Sequence, residues 1–199
     1  MNTQNILICG IGGQGVVLAG KIIGLAAYEK GFDVKTSEVH GMSQRGGSVS
    51  THIRFGEKVS SPLISKNDAD IILSFDIYET LRYAKDFANR NTLVISSGYG
   101  KIPLWTSTNK NDRISIAKIV EALKINFDKF LTINDKEIAV NLGNIKVSNI
   151  ISIGLLSKFT DIEEDFWLKV IENNVPEKTK EINMKAFLVG RNREEIIGI

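Results

Sequence analysis

Two glycine-rich segments hold the residues best suited to chemistry. In the first, Gly10-Ile11-Gly12-Gly13-Gln14-Gly15, the glycines at 10, 12 and 15 have the G-x-G-x-x-G spacing. Glycine suits those positions because the turn is tight, a ligand can approach the backbone, and the next helix can pack close to its strand. A helix opening there offers unpaired N–H groups and a partial positive charge to a phosphate or carboxylate. Gly13 and Gln14 leave that helix start bare, which suits contact with a ligand or another subunit. The second segment is Ser37-Glu38-Val39-His40-Gly41-Met42-Ser43-Gln44-Arg45-Gly46-Gly47-Ser48. Gly41, Gly46 and Gly47 give a backbone able to form anion-binding concavities, Arg45 supplies a fixed charge, and Ser43, Gln44 and Ser48 add neutral hydrogen-bonding groups. His40 is placed either to act as acid or base near neutral pH or to orient the loop. Arg45 can meet a ligand or pair with Glu38. Glu38 itself stands near the end of a strand, where an acid meets a ribose hydroxyl in dinucleotide-binding folds.

Other kinds of site are poorly supplied. The chain has a single cysteine, Cys9, in an apolar run, and two histidines, His40 and His52, with no cysteine or carboxylate at ligand spacing. A disulfide needs two cysteines, a cysteine-ligated iron–sulfur cluster usually needs four, and a zinc site needs a comparable ligand set. No G-x-S-x-G elbow and no Ser/His/Asp arrangement is present. These residues describe a binder rather than a self-sufficient catalyst.

The elements that position the two segments follow from periodicity. Gln4 to Cys9 reads as a strand and Val16 onward as a buried helix stopping near Gly31. Phe32 to Glu38 reads as a second strand and Val39 to Ser48 as a long loop. Val49 to Gly56 alternates, with Ser50, His52 and Arg54 forming a wetter face. A strand over Asp70–Phe75, a helix over Tyr78–Phe87 and a strand over Thr92–Ser96 follow. Beyond a polar stretch come a helix near Ser115–Lys124 and a short strand near Phe130–Ile133. The remainder is helical, with apolar stripes through Val147, Ile150, Ile151, Gly154 and Leu155, and through Phe166, Trp167, Val170 and Ile171, ending before Pro176. Alternating strand and helix predict an α/β fold, a Rossmann-like three-layer sandwich with a mainly parallel sheet and a helical C-terminal part. Two loops at the carboxyl ends of adjacent parallel strands would face one crevice.

With 199 residues, 43% of them hydrophobic, the chain can bury a full core, and it shows no repeat or linker, so residues 1–199 read as one domain. A formal charge of +2, with basic and acidic residues interspersed, argues against nucleic acid. No apolar segment reaches membrane-spanning length and no basic leader precedes the first apolar run, so a soluble cytoplasmic protein is expected.

The two segments together resemble the gamma-type domain of 2-oxoacid:ferredoxin oxidoreductases. Glu79-Thr80-Leu81-Arg82-Tyr83, Leu142-Gly143-Asn144 with Asn149, and Lys185-Ala186-Phe187-Leu188-Val189-Gly190-Arg191 extend the resemblance over nearly the whole chain. The His-Gly-Met-Ser-Gln-Arg-Gly-Gly loop is most similar to the indolepyruvate-type small subunits. The resemblance implies oxidative decarboxylation of an aryl 2-oxoacid to an acyl-CoA, with ferredoxin as acceptor. It also implies a large partner subunit holding thiamine diphosphate and the iron–sulfur clusters, with coenzyme A as co-substrate and no cofactor on this chain alone. Consistently, no G-D-G followed at a distance by N-N, the thiamine-diphosphate pattern, is present. The glycine loops would lie near the subunit boundary and near coenzyme A, and the chain would be inactive by itself.

Three other readings stay open at this level. One is a gamma subunit acting on pyruvate, 2-oxoglutarate or a branched-chain oxoacid. Another is a free-standing NAD(P)-binding protein using Gly10, Gly12, Gly15 and Glu38. The last is a non-catalytic scaffold whose glycine loops serve only packing and interfaces.

Overall fold

The computed structural model describes residues 3–41, 46–102 and 114–192. A six-stranded sheet is built from β1 (Gln4–Ile11), β2 (Asp33–His40), β3 (Ser48–Gly56), β4 (Ile71–Ser74), β5 (Leu93–Ser97) and β6 (Lys129–Ile133), in the order β2-β3-β1-β4-β5-β6. The ladders β1–β4, β4–β5 and β5–β6 are parallel, whereas β3 runs antiparallel to both β1 and β2.

Alternation along the strands divides the core between two faces. Ile6 and Ile8 of β1, Ile71 and Leu73 of β4, and Leu93 and Ile95 of β5 pack on one side. Leu7 and Cys9, Ile72 and Val94 pack on the other. Strands apolar on both faces must be covered on both faces. The first side takes α1 (Val16–Glu29) and three C-terminal helices, α5 (Ser148–Ser157), α6 (Glu164–Asn174) and α7 (Lys180–Arg191), while α4 (Asp135–Asn141) links β6 to them. The second takes α2 (Ile77–Phe87) and α3 (Ile116–Asn126). This is the expected three-layer α/β sandwich with a helical C-terminal part. No helix among the described residues is long and apolar enough to cross a membrane.

Two expectations need correction. The wetter face of β3 is not wet: Ser50 and His52 are buried. His52 Nδ1 accepts the Ile64 amide at 3.2 Å and its ring meets Phe87 edge-on. The connection after β3 and the end of α2 cover a polar face that the alternation alone assigns to solvent. The second strand also runs on to His40, because its pairing with β3 continues from Asp33↔Gly56 to His40↔Val49.

Candidate functional site

The first segment closes β1 with a turn that its own side chains enforce. Gly10 still lies in the strand, opposite Val49. A Cβ there would come within 2.8 Å of Gln14 Oε1 and 3.0 Å of Val16 Cγ2, so glycine lets the turn fold back over its strand. Gln14 fills that room: Oε1 accepts the Ile11 amide at 2.8 Å, and the Gln14 amide donates to Ile11 O at 3.0 Å. The Gln14 side-chain carbonyl is therefore committed within the turn. Gly15 caps α1 in the left-handed region (φ +83°), with no side-chain cap and no acid in the first turn. The first-turn amides of α1 and their partial positive charge stay available.

The second segment arrives beside this turn by a route the sequence does not announce. β1 and β2 are not adjacent; β3 runs between them. Because β3 begins opposite the end of β1 (Ile11↔Ser48), the connection from β2 to β3 ends next to the glycine turn. Gly12 N donates to Gly47 O at 2.9 Å, and Gly41 N donates to Ser48 O at 2.8 Å. Gly46 adopts φ +70°. A cleft of about 590 Å³ opens between the segments, bordered by Gly12, Gly13, Gly15, Val17, His40 and Gly41 among others. Met42, Ser43, Gln44 and Arg45 lie outside the described residues, and with them the expected part of Arg45.

His40 is exposed at the cleft edge, with Nε2 4.0 Å from Glu38 Oε2. Glu38 is displaced from the turn. Its register partners, Thr51 and then Ile8, put it level with a residue three before the end of β1. It is also two strands away, roughly 10 Å at the usual strand spacing. That is too far for the ribose-binding acid of a dinucleotide fold, so the expected role of Glu38 does not fit.

Cys9 sits fully buried beneath the turn, where burial pushes its thiol up to about 12. Such a thiol is neither a nucleophile nor a cluster ligand at neutral pH. Among the described residues no group of three or more His, Cys, Asp or Glu is gathered as a metal site would need. Among the described residues, those bordering the cleft include no Ser, Thr, Cys or Lys. What the arrangement can do is receive an anion or a partner's backbone.

Three contacts are visible only in the fold, although Asn149, the Glu79–Tyr83 segment and Ser48 are already singled out in the sequence. The side-chain amide of Asn149, on α5, packs against Gly15. Lys101 Nζ lies 3.6 Å from where a Cβ on Gly46 would stand. Ser48 Oγ bonds to the buried Glu79 carboxylate and lies 3.0 Å from Tyr83 OH. Of these residues only Lys101 carries no signal in the sequence; for the rest, tertiary contact supplies the pairing.

Residues 5–193 match the family described as pyruvate ferredoxin/flavodoxin oxidoreductase. Indolepyruvate oxidoreductase subunit IorB of Thermococcus kodakarensis is 35% identical over 203 residues, covering 100% of both chains. Among solved structures, the gamma subunit of keto/oxoacid ferredoxin oxidoreductase from Geobacter sulfurreducens superposes with a TM-score of 0.72 at 21% identity, covering 96% of this chain and 95% of that one. A 2-oxoglutarate:ferredoxin oxidoreductase from Magnetococcus marinus gives 0.73 at 18% identity, and the match covers 96% of this chain and 31% of that longer chain.

Proposed function

Since the chain belongs to the pyruvate ferredoxin/flavodoxin oxidoreductase family, we propose that it is the small, gamma-type subunit of a 2-oxoacid:ferredoxin oxidoreductase, acting on indolepyruvate. The whole chain forms one such domain and works in the cytoplasm, joined to a large subunit that carries thiamine diphosphate and the iron–sulfur clusters. The reaction removes carbon dioxide from the 2-oxoacid, joins the remaining acyl group to coenzyme A, and passes the electrons to ferredoxin through the complex. The identity with IorB over both full lengths favours the indole substrate.

The observation that carries this reading is the Gly12 N to Gly47 O bond, which holds two glycine segments together beside the uncapped start of α1. The residues fit coenzyme A in one respect: backbone amides at a helix N-terminus suit its phosphates. Gly12, Gly13 and Gly15 would approach them, and Arg45 would add charge. Coenzyme A, when bound, supplies the thiol that takes the acyl group. The residues do not fit an iron–sulfur cluster, since the only thiol is buried and held protonated. The electron path therefore belongs to the partner.

Co-expression with the large subunit tests the proposal. The complex should turn over indolepyruvate with coenzyme A, and omission of this chain should abolish turnover. Full activity without it would make the chain a scaffold. Arg45→Ala should raise the Michaelis constant for coenzyme A; an unchanged constant in an intact complex would separate the loop from that substrate. A thermal-shift titration with NAD(H) and NADP(H) should show no saturable stabilisation.

A further inference from the structure

The buried carboxylate of Glu79 does not border the cleft, and its surroundings give it a part there nonetheless. Glu79 lies in the first half of α2 with a side chain 6% exposed. Its Oε2 accepts from Ser48 Oγ, and its Oε1 lies 3.7 Å from Arg82 Nε. A carboxylate out of water is costly unless hydrogen-bonded, and an apolar side chain at this helix position would pack at no such cost. The bond to Ser48 is what the arrangement gains.

Ser48 is a junction. Its hydroxyl has one proton, which it gives to Glu79, so Ser48 Oγ accepts from Tyr83 OH. Its carbonyl accepts Gly41 N, closing the connection between β2 and β3 at its base. The preceding carbonyl, Gly47 O, accepts Gly12 N of the glycine turn. One side chain thus ties both glycine segments to α2.

The same helix also holds Lys101. Asp76, its N-cap, accepts Tyr78 N through Oδ1 and Lys101 N through Oδ2 at 2.7 Å, and Lys101 Nζ lies 3.6 Å from where a Cβ on Gly46 would stand. Helix α2 therefore fixes Lys101 and the Gly46–Ser48 backbone relative to each other.

We infer that Glu79, through Ser48 and with Tyr83, is a positioning residue for the reaction: it sets the glycine backbone that borders the cleft without touching substrate. This rests on the function proposed above, and two readouts keep the failures apart. In the full chain alone, amide exchange at Gly12 and Gly41 reports the two backbone bonds that Ser48 anchors. In the reconstituted complex, steady-state kinetics report the consequence. Ser48→Ala should speed exchange at both amides at least tenfold, and should raise the Michaelis constant for coenzyme A several-fold with a smaller change in kcat and intact assembly. Ser48→Thr, which keeps the hydroxyl, should restore both, and Tyr83→Phe should show a weaker form of the defect. Glu79→Gln should resemble Ser48→Ala. Unchanged exchange in Ser48→Ala would overturn the inference, as would equal defects in Ser48→Ala and Ser48→Thr, which would assign the effect to packing. Faster exchange with unaltered kinetics would also overturn it, leaving a purely structural bond. If the wild-type complex fails to use coenzyme A, the function proposed above fails instead, and the exchange data still decide whether Ser48 and Glu79 hold the loop.

Discussion

The side-chain amide of Asn149 occupies the space that a side chain on Gly15 would need. Asn149 is itself buried, and its Oδ1 accepts the Ile150 amide at 2.9 Å, which turns Nδ2 toward the start of α1. The C-terminal helical part thereby reaches the glycine turn and leaves no room for any residue but glycine at the cap.

Gly15→Ala meets two penalties, a left-handed φ of +83° and the Asn149 contact. We expect a loss of about 2 kcal/mol or more in urea unfolding. Adding Asn149→Ala should recover the steric share and leave the backbone share. A single variant as stable as wild type would show that α5 yields easily here.

The α5–α7 crossing depends on two further glycines. A Cβ on Gly154 would strike the Phe187 carbonyl, and one on Gly190 the Ile151 carbonyl; both obstacles are backbone and cannot rotate away. Alanine gains roughly 1 kcal/mol of helix propensity over glycine, yet overpacking costs about 1–3 kcal/mol even where side chains can adjust. Gly154→Ala and Gly190→Ala should each destabilise, measured by thermal midpoint. A raised midpoint in either would mean that the helices part without cost.

Trp167 is the largest fully buried side chain among the described residues; its Nε1 donates to Ile162 O at 3.2 Å and its ring stacks on Phe187 at 6.0 Å. Trp167→Ala should cost about 3–5 kcal/mol, read from the shift in denaturant midpoint, whereas Trp167→Phe should cost less.

Two buried groups tilt stability with pH in opposite directions. Burial holds the Asp135 carboxyl up at about 6, with Oδ1 accepting from Ser97 Oγ at 2.5 Å and Oδ2 left without a partner. The unfolded chain ionises at about 3.9. This contribution is therefore full at low pH and falls as pH rises from about 4 to about 6, by roughly 3 kcal/mol in all. Burial lowers His52, whose Nδ1 must stay unprotonated to accept the Ile64 amide. Its contribution is full above about pH 6.5 and is lost as pH falls. Unfolding midpoints from about pH 4 to about pH 8 should lose the first slope in Asp135→Asn and the second in His52→Gln. Slopes identical to wild type would refute the assignment.

The lone thiol offers a simple check on the core. With Cys9 fully buried and pushed up to about 12, a thiol reagent at about pH 8 should react only as fast as the chain opens. Rapid labelling of the native protein would contradict the burial of β1.

Much of this molecule is legible in its residues. Short continuous apolar runs mark β1, β4 and β5, and glycines at 10, 12 and 15 mark a strand turning into a helix, because those patterns reflect local sterics and burial. The extent of β2 and the dryness of β3 are not legible. Pairing with β3 carries the second strand to His40, and a distant loop and helix cover His52.

The sequence by itself determined the α/β alternation and, through its two glycine segments, the family. These depend on residue type and near-neighbour spacing. Only the tertiary structure decided how the segments meet. The antiparallel β3 inserts between β1 and β2, which moves Glu38 away from the turn and brings Gly47 to Gly12. It also decided that Gln14 closes its own turn, and that Ser48, Glu79 and Asn149 support the cleft. Strand order and the packing of α2 and α5 join residues far apart in the chain, and no local pattern encodes those distances.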